Sequence, residues 1–228
     1  MFGFGRKNKQ EKTIVDEKRI HRIVDYTCIS PILTKKELER AMCVAYKNKY
    51  NSIVVNPINV GIARAYIDLR LKSTINLVSV IGFPLGETTT EVKLYEIKKA
   101  LSDGADEFDV MLPISRVKMG DFGYIKNEIS RIMKSAKRHV VKIIIETAHL
   151  NKAEMNKLCS ICAKCRVNYI QTCSGYANGG ANIEDIEMMR QAVQGKCEIK
   201  ASGAIENRNQ AIIMMRAGAS RIGTSREI

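Results

Sequence analysis

No stretch of this sequence stays apolar for the roughly 18–20 residues that a membrane span requires, so a transmembrane helix is not expected. Met1 to Lys12 lacks the apolar core of about 7–15 residues that marks a secretory signal, and the expected location is the cytoplasm. Nor is any stretch polar enough for long disorder. With 45% hydrophobic residues in 228, the chain can bury a sizeable core as one domain. Aromatic residues are scarce, at 6% with no Trp, and no aromatic platform for stacking single-stranded bases accompanies the basic residues. A G-x-G-x-x-G turn after the first β-branched run is also missing, which argues against an open doubly wound sheet.

What is abundant is positive charge. Lys and Arg outnumber Asp and Glu by 37 to 24, for a net charge of +13, which biases the surface toward anions such as phosphorylated metabolites, nucleic acid or an acidic partner. Much of the charge is spread over helical stretches, where a solvated face accounts for it. The cluster Arg6-Lys7-Asn8-Lys9 with Lys12 reads as a flexible basic tail over residues 1–12, with a weak nucleic-acid or membrane-surface contact as the sharper alternative. Seven Cys is an odd number in a chain too large to depend on disulfides, which favours a reducing compartment. Cys159, Cys162 and Cys165 form a C-x-x-C-x-x-C run. The run lies in a helical pattern that fans its sulfurs apart, and no fourth ligand follows, so small buried thiols are expected and no metal site.

Short β-branched runs alternate with longer helical patterns, the signature of a parallel sheet with crossover helices. The expected strands are 23–27, 52–56, 77–83, 107–112, 140–147, 169–172, 198–202 and 221–225. Helices are expected over 35–47, 60–69, 90–102, 122–137, 152–164, 183–193 and 208–217. Thr34 and Glu37 have the spacing of a capping box, and Gly104 and Gly218 stand where a left-handed helix end belongs. Eight strands at this spacing predict a closed (β/α)8 TIM barrel over residues 13–228. No eighth helix is expected after the last strand, and an N-terminal helical extension is expected over Thr13–Arg22. Barrel surface left exposed in this way favours a partner subunit or a second copy of the chain.

In such barrels the reactive groups lie at the C-terminal ends of the strands. Strands buried on both faces are expected to be apolar, so Asp109 and Lys142 are conspicuous, as is Lys200. An internal Asp109–Lys142 ion pair is the structural reading of the first two, since a buried charge is costly unless paired. Asp25, Gln171, Thr172 and Cys173 also fall at strand ends. Ser174-Gly175, Gly179-Gly180, Ser202-Gly203 and Gly223-Thr224-Ser225 bring Gly and hydroxyl residues to the last three strands, where barrels commonly hold a phosphate. Cys173 reads either as a packed thiol or as a reactive thiolate near Lys200.

The third-strand segment Val80-Ile81-Gly82-Phe83-Pro84-Leu85-Gly86, followed by Thr88-Thr89-Thr90-Glu91-Val92-Lys93, resembles the signature of the deoxyribose-phosphate aldolase family. Later segments match it as well: 104–110 (GADEFDV), 142–147 (KIIIET), Lys200-Ala201-Ser202-Gly203 and 221–225 (RIGTS). Asp25-Tyr26-Thr27 and Val55-Asn56-Pro57 fit its opening, so the resemblance runs from about residue 20 to the C-terminus. It implies a class I aldolase that uses a Schiff-base lysine and neither metal nor other cofactor. Asp109 would be the acid/base aspartate, Lys200 the second lysine that depresses the first one's pKa, and Lys142 a further lysine of the site.

The sequence departs from that pattern at the nucleophile. Where the family reads roughly V-K-T-S-T-G, this chain reads Ile170-Gln171-Thr172-Cys173-Ser174-Gly175, and an amide cannot form an imine. Ala204 replaces a second Gly, and Arg226 stands where the family continues Ser-Gly. Three readings follow. The barrel acts on or binds a small phosphorylated sugar or aldehyde with altered chemistry, drawing on Lys200, Lys142 or Asp109. Alternatively it is a catalytically inactive pseudoenzyme in a binding or regulatory role, or a basic scaffold for nucleic acid.

Overall fold

The computed structural model describes residues 17–228, with side chains from Arg19 onward. The basic cluster of the first twelve residues lies outside this range, as do Thr13 to Asp16 of the expected N-terminal helix. The remainder of that segment is a 3-10 helix over Glu17–Ile23.

Eight parallel strands close into a barrel: β1 (Val24–Cys28), β2 (Ser52–Val55), β3 (Asn76–Ile81), β4 (Glu107–Met111), β5 (Val140–Ile144), β6 (Tyr169–Gln171), β7 (Glu198–Ser202) and β8 (Arg221–Thr224). Each pairs with the next, and β8 closes on β1 through Val24–Ile222, Asp25–Gly223 and Tyr26–Thr224. The helices between them are α1 (Lys35–Lys47), α2 (Val60–Tyr66), α3 (Thr90–Ser102), α4 (Ile114–Lys118), α5 (Phe122–Ala136), α6 (Lys152–Lys164), α7 (Ile183–Val193) and α8 (Arg208–Ala217). The TIM-barrel expectation is therefore met. No helix follows β8 among the described residues, and none is long and apolar enough to cross a membrane.

Local chemistry explains most element ends. Thr34 and Glu37 form a reciprocal capping box at the start of α1, satisfying backbone donors that the first turn leaves unpaired. Gly104 and Gly218 take positive φ values of 98° and 120° just past α3 and α8, where side-chain-bearing residues are strained. Besides short 3-10 turns over Pro57–Asn59 and Thr147–His149, two further helical features were not foreseen. α4 is an additional short helix, and the 60–69 pattern divides into α2 and a π-helical turn over Ile67–Leu71.

Alternate residues on each strand face opposite sides, and the two sides differ sharply. Outward residues such as Ile53, Leu77, Phe108, Val110, Val141, Ile143, Ile199 and Ile222 join the main apolar core against the helices. The interior is divided. Val54, Val78 and Val80 of β2 and β3 form a small apolar cluster with Ile29 and Phe83, while β1, β4, β5, β7 and β8 turn charged residues inward.

Candidate active site

The charged half of the interior is a closed ionic network. Lys142 Nζ lies 2.6 Å from Glu107, 2.9 Å from Asp109 and 3.7 Å from Asp25. Lys200 Nζ lies 2.9 Å from Asp25 and 2.5 Å from the second oxygen of Asp109. Arg221 completes the set, 2.8 Å from Asp25 and 3.4 Å from Glu107, with its guanidinium over the Tyr169 ring. All six side chains are buried, and three carboxylates face three cations. That balance satisfies the rule that buried charge must be paired.

The network decides protonation. Burial pushes the Lys142 pKa down, but Asp109, Asp25 and Glu107 outweigh it and hold that ammonium well above the ordinary lysine value. Burial likewise opposes ionisation of Asp25. Lys200, Lys142, Arg221 and a hydrogen bond from Ser52 reverse the effect and keep its carboxyl below the usual carboxylate range. The expected Asp109–Lys142 pair is present, as one edge of a larger cluster.

Above the network, at the C-terminal ends of the strands, opens a cavity of about 540 Å³. It is lined by Asp109, Gln171, Ser174, Gly175, Lys200, Ser202, Gly203, Gly223 and Ser225, all marked in the sequence. Five other marked residues lie elsewhere. Asp25, expected to contact ligand, is fully buried in the network. Lys142 is enclosed on all sides by the carboxylates. Thr172 is turned to the neighbouring strand, donating to the Ser202 carbonyl at 2.8 Å and accepting from its N–H at 3.0 Å. Gly180 supports the β7 loop from outside: a Cβ there would meet Ala204 Cβ at 2.5 Å and the Gly203 carbonyl at 2.7 Å. Cys173 is buried against Thr147, and burial pushes its thiol up, which is the packed-thiol alternative. Cys159 and Cys162 are buried on α6, and no metal-holding group of His, Cys, Asp or Glu occurs among the described residues.

Gln171 lines the cavity at the end of β6. It pairs with Lys200 across β6 and β7, so the two side chains are neighbours on the inner face. Its Nε2 donates to Ser202 Oγ at 2.8 Å and to the Cys173 carbonyl at 3.1 Å. Beside them, the missing side chain of Gly223 makes room, since a Cβ there would lie 2.8 Å from Ser202 Cβ and 3.0 Å from Lys200 Cε.

Sequence reasoning missed Glu107 and Arg221. Strand parity could have found them: Glu107 is two residues before Asp109 and Arg221 two before Gly223, each on the same inward face. It also missed Arg40 and Glu37 of α1 and Tyr176, which line the mouth together with Arg226, a position the sequence had marked. Tyr176 bridges three loops there, edge-on to Phe83 with centroids 5.3 Å apart and donating to the Ile29 carbonyl at 3.2 Å.

No protein-family model matches the chain. Curated relatives do. A deoxyribose-phosphate aldolase of Thermococcus gammatolerans is 39% identical over 208 residues, covering 90% of this chain and 92% of the relative. A protein of the same name from Mycoplasma capricolum is 34% identical, covering 92% and 93%. Among solved structures, an aldolase designated QR15 matches with a TM-score of 0.86 at 32% identity, over 93% of this chain and 92% of its own. A deoxyribose phosphate aldolase from Aeropyrum pernix, described as tetrameric, matches at 0.82 and 28% identity, over 92% and 88%.

Proposed function

The chain belongs to the deoxyribose-phosphate aldolase family, and from that premise we propose that its barrel takes a small phosphorylated sugar or aldehyde into the cavity and handles it without an imine on β6. The observation that carries this reading is the Gln171 amide, fixed by Ser202 and the Cys173 carbonyl at the position that the sequence resemblance aligns with the family's lysine. An amide nitrogen has no basic lone pair to add to a carbonyl carbon. Of the two lysines that could replace it, Lys142 is enclosed and held protonated. Lys200 reaches the cavity as an ammonium bound to Asp25 and Asp109. In that state it hydrogen-bonds and polarises a ligand oxygen. The loops at 202–204 and 223–226 supply glycines, hydroxyls and Arg226 for the phosphate.

A second reading has its own support. Lys200 lines the cavity directly beside Gln171, so an imine could be carried one strand over. Borohydride reduction in the presence of 2-deoxyribose 5-phosphate or acetaldehyde, read by peptide mass spectrometry, separates the two. The expected outcome is a thermal shift with the sugar phosphate, no reduced adduct on the native chain, and no cleavage. Gln171→Lys, placed next to the cationic Lys200, is expected to gain both a trapped adduct at residue 171 and measurable cleavage. A reduced adduct on Lys200 of the native chain would overturn the first reading in favour of the second.

A further inference from the structure

Gln171 is 5% exposed and lines the cavity. Both hydrogens of its amide are committed, to Ser202 Oγ and to the Cys173 carbonyl, so the orientation of the group is fixed. Its Oε1 is buried and has no hydrogen-bond donor among the described residues. A buried acceptor left unpaired is unfavourable, and such groups in a folded protein call for an explanation. The next strand carries the complementary group. The Lys200 ammonium contacts Asp25 and Asp109 on the network side, and the same residue lines the cavity.

The cavity wall therefore carries an unpaired acceptor on Gln171 next to the cationic Lys200 of the neighbouring strand. We infer that Gln171 makes the site selective for a hydroxyl at the ligand carbon where the family's carbonyl would react: an alditol phosphate or the closed hemiacetal form of a sugar phosphate. A hydroxyl donates to Gln171 Oε1 while accepting from Lys200 Nζ, so one oxygen satisfies both groups. A carbonyl oxygen only accepts. It leaves Oε1 unpaired and sets two acceptors against each other. The substitution that removes the imine nucleophile thus converts a carbonyl-reacting position into a hydroxyl-recognising one. This inference rests on the phosphosugar reading above and names its ligand class.

The test is a matched pair of probes, 2-deoxyribitol 5-phosphate and its 1,2-dideoxy analogue, which differ only in the terminal hydroxyl. Isothermal titration on the native chain is expected to show the hydroxyl-bearing probe binding about tenfold or more tightly. Gln171→Leu, which has no acceptor, is expected to abolish that ratio. Should this variant not fold, the ratio on the native chain alone still decides. Equal affinity for the two probes would overturn the hydroxyl inference and leave phosphosugar binding intact, whereas binding of neither would overturn both.

Discussion

At Ala204 the backbone turns into the left-handed region, with φ at 57°, where a Cβ crowds the following carbonyl and Gly is favoured. The residue lines the cavity at the end of β7, and its Cβ lies close under Gly180. A sequence reading marks the position as a departure from Gly. The strain itself is visible only in the dihedral angle. Ala204→Gly relieves it at some cost in unfolded-state entropy, and urea denaturation is expected to show a gain of about 0.5–1 kcal/mol. A variant no more stable than the native chain would mean that the loop does not hold this residue under strain. Gln171 shows the same division of information. Its identity was legible as a lost lysine, but the fixing of its amide depends on where Ser202 and the Cys173 carbonyl fall in space.

Strand placement was legible because β-branched runs and helix-period runs have different spacing, and Glu198–Ser202 was found over its full span. Misplaced ends have local causes. β5 stops at Ile144 because Glu146 enters the left-handed region with φ at 51°, and no Gly or Asn in the sequence marks that turn. β3 stops at Ile81 because Gly82 takes φ at 62°. The ionic network was only partly legible, since Asp25, Asp109, Lys142 and Lys200 stood out, with an Asp109–Lys142 pair expected, while Glu107 and Arg221 required counting parity along β4 and β8. These strands depend on one another through charge. Lys142→Met preserves bulk on β5 but leaves Glu107 and Asp109 short of a cation at contacts of 2.6 and 2.9 Å. Its removal is expected to destabilise the barrel by about 3–5 kcal/mol, measured by chemical denaturation. A loss below 1 kcal/mol would show that Lys200 and Arg221 suffice for all three carboxylates.

For the whole molecule, buried ionisable groups define a pH window. On the acid side the native Asp25 carboxyl, for all its burial, is held low by Lys200, Lys142 and Arg221. An unfolded Asp takes up its proton near about pH 4, so the unfolded chain binds more protons as acid is added. This contribution to stability is present above that pH and drains away below it. On the alkaline side, burial pushes Cys159 to about 12 and Cys28 and Cys197 to about 11, and raises Cys162 as well. Unfolded thiols ionise above about pH 8.5. The native state then retains protons that the unfolded chain releases, and stability falls as pH rises. Lys142 acts in the same sense at higher pH, its folded pKa being raised: its contribution is complete below about pH 10.4 and is lost as pH rises through the folded value. Calorimetric melts are therefore expected to show a Tm plateau between about pH 5 and 8 with declines on both sides. Cys162→Ala removes one of these protons and should flatten the alkaline limb by about 1.4 kcal/mol per pH unit while sparing the acid limb. An unchanged alkaline slope would mean that this thiol ionises as readily in the native barrel as in the unfolded chain.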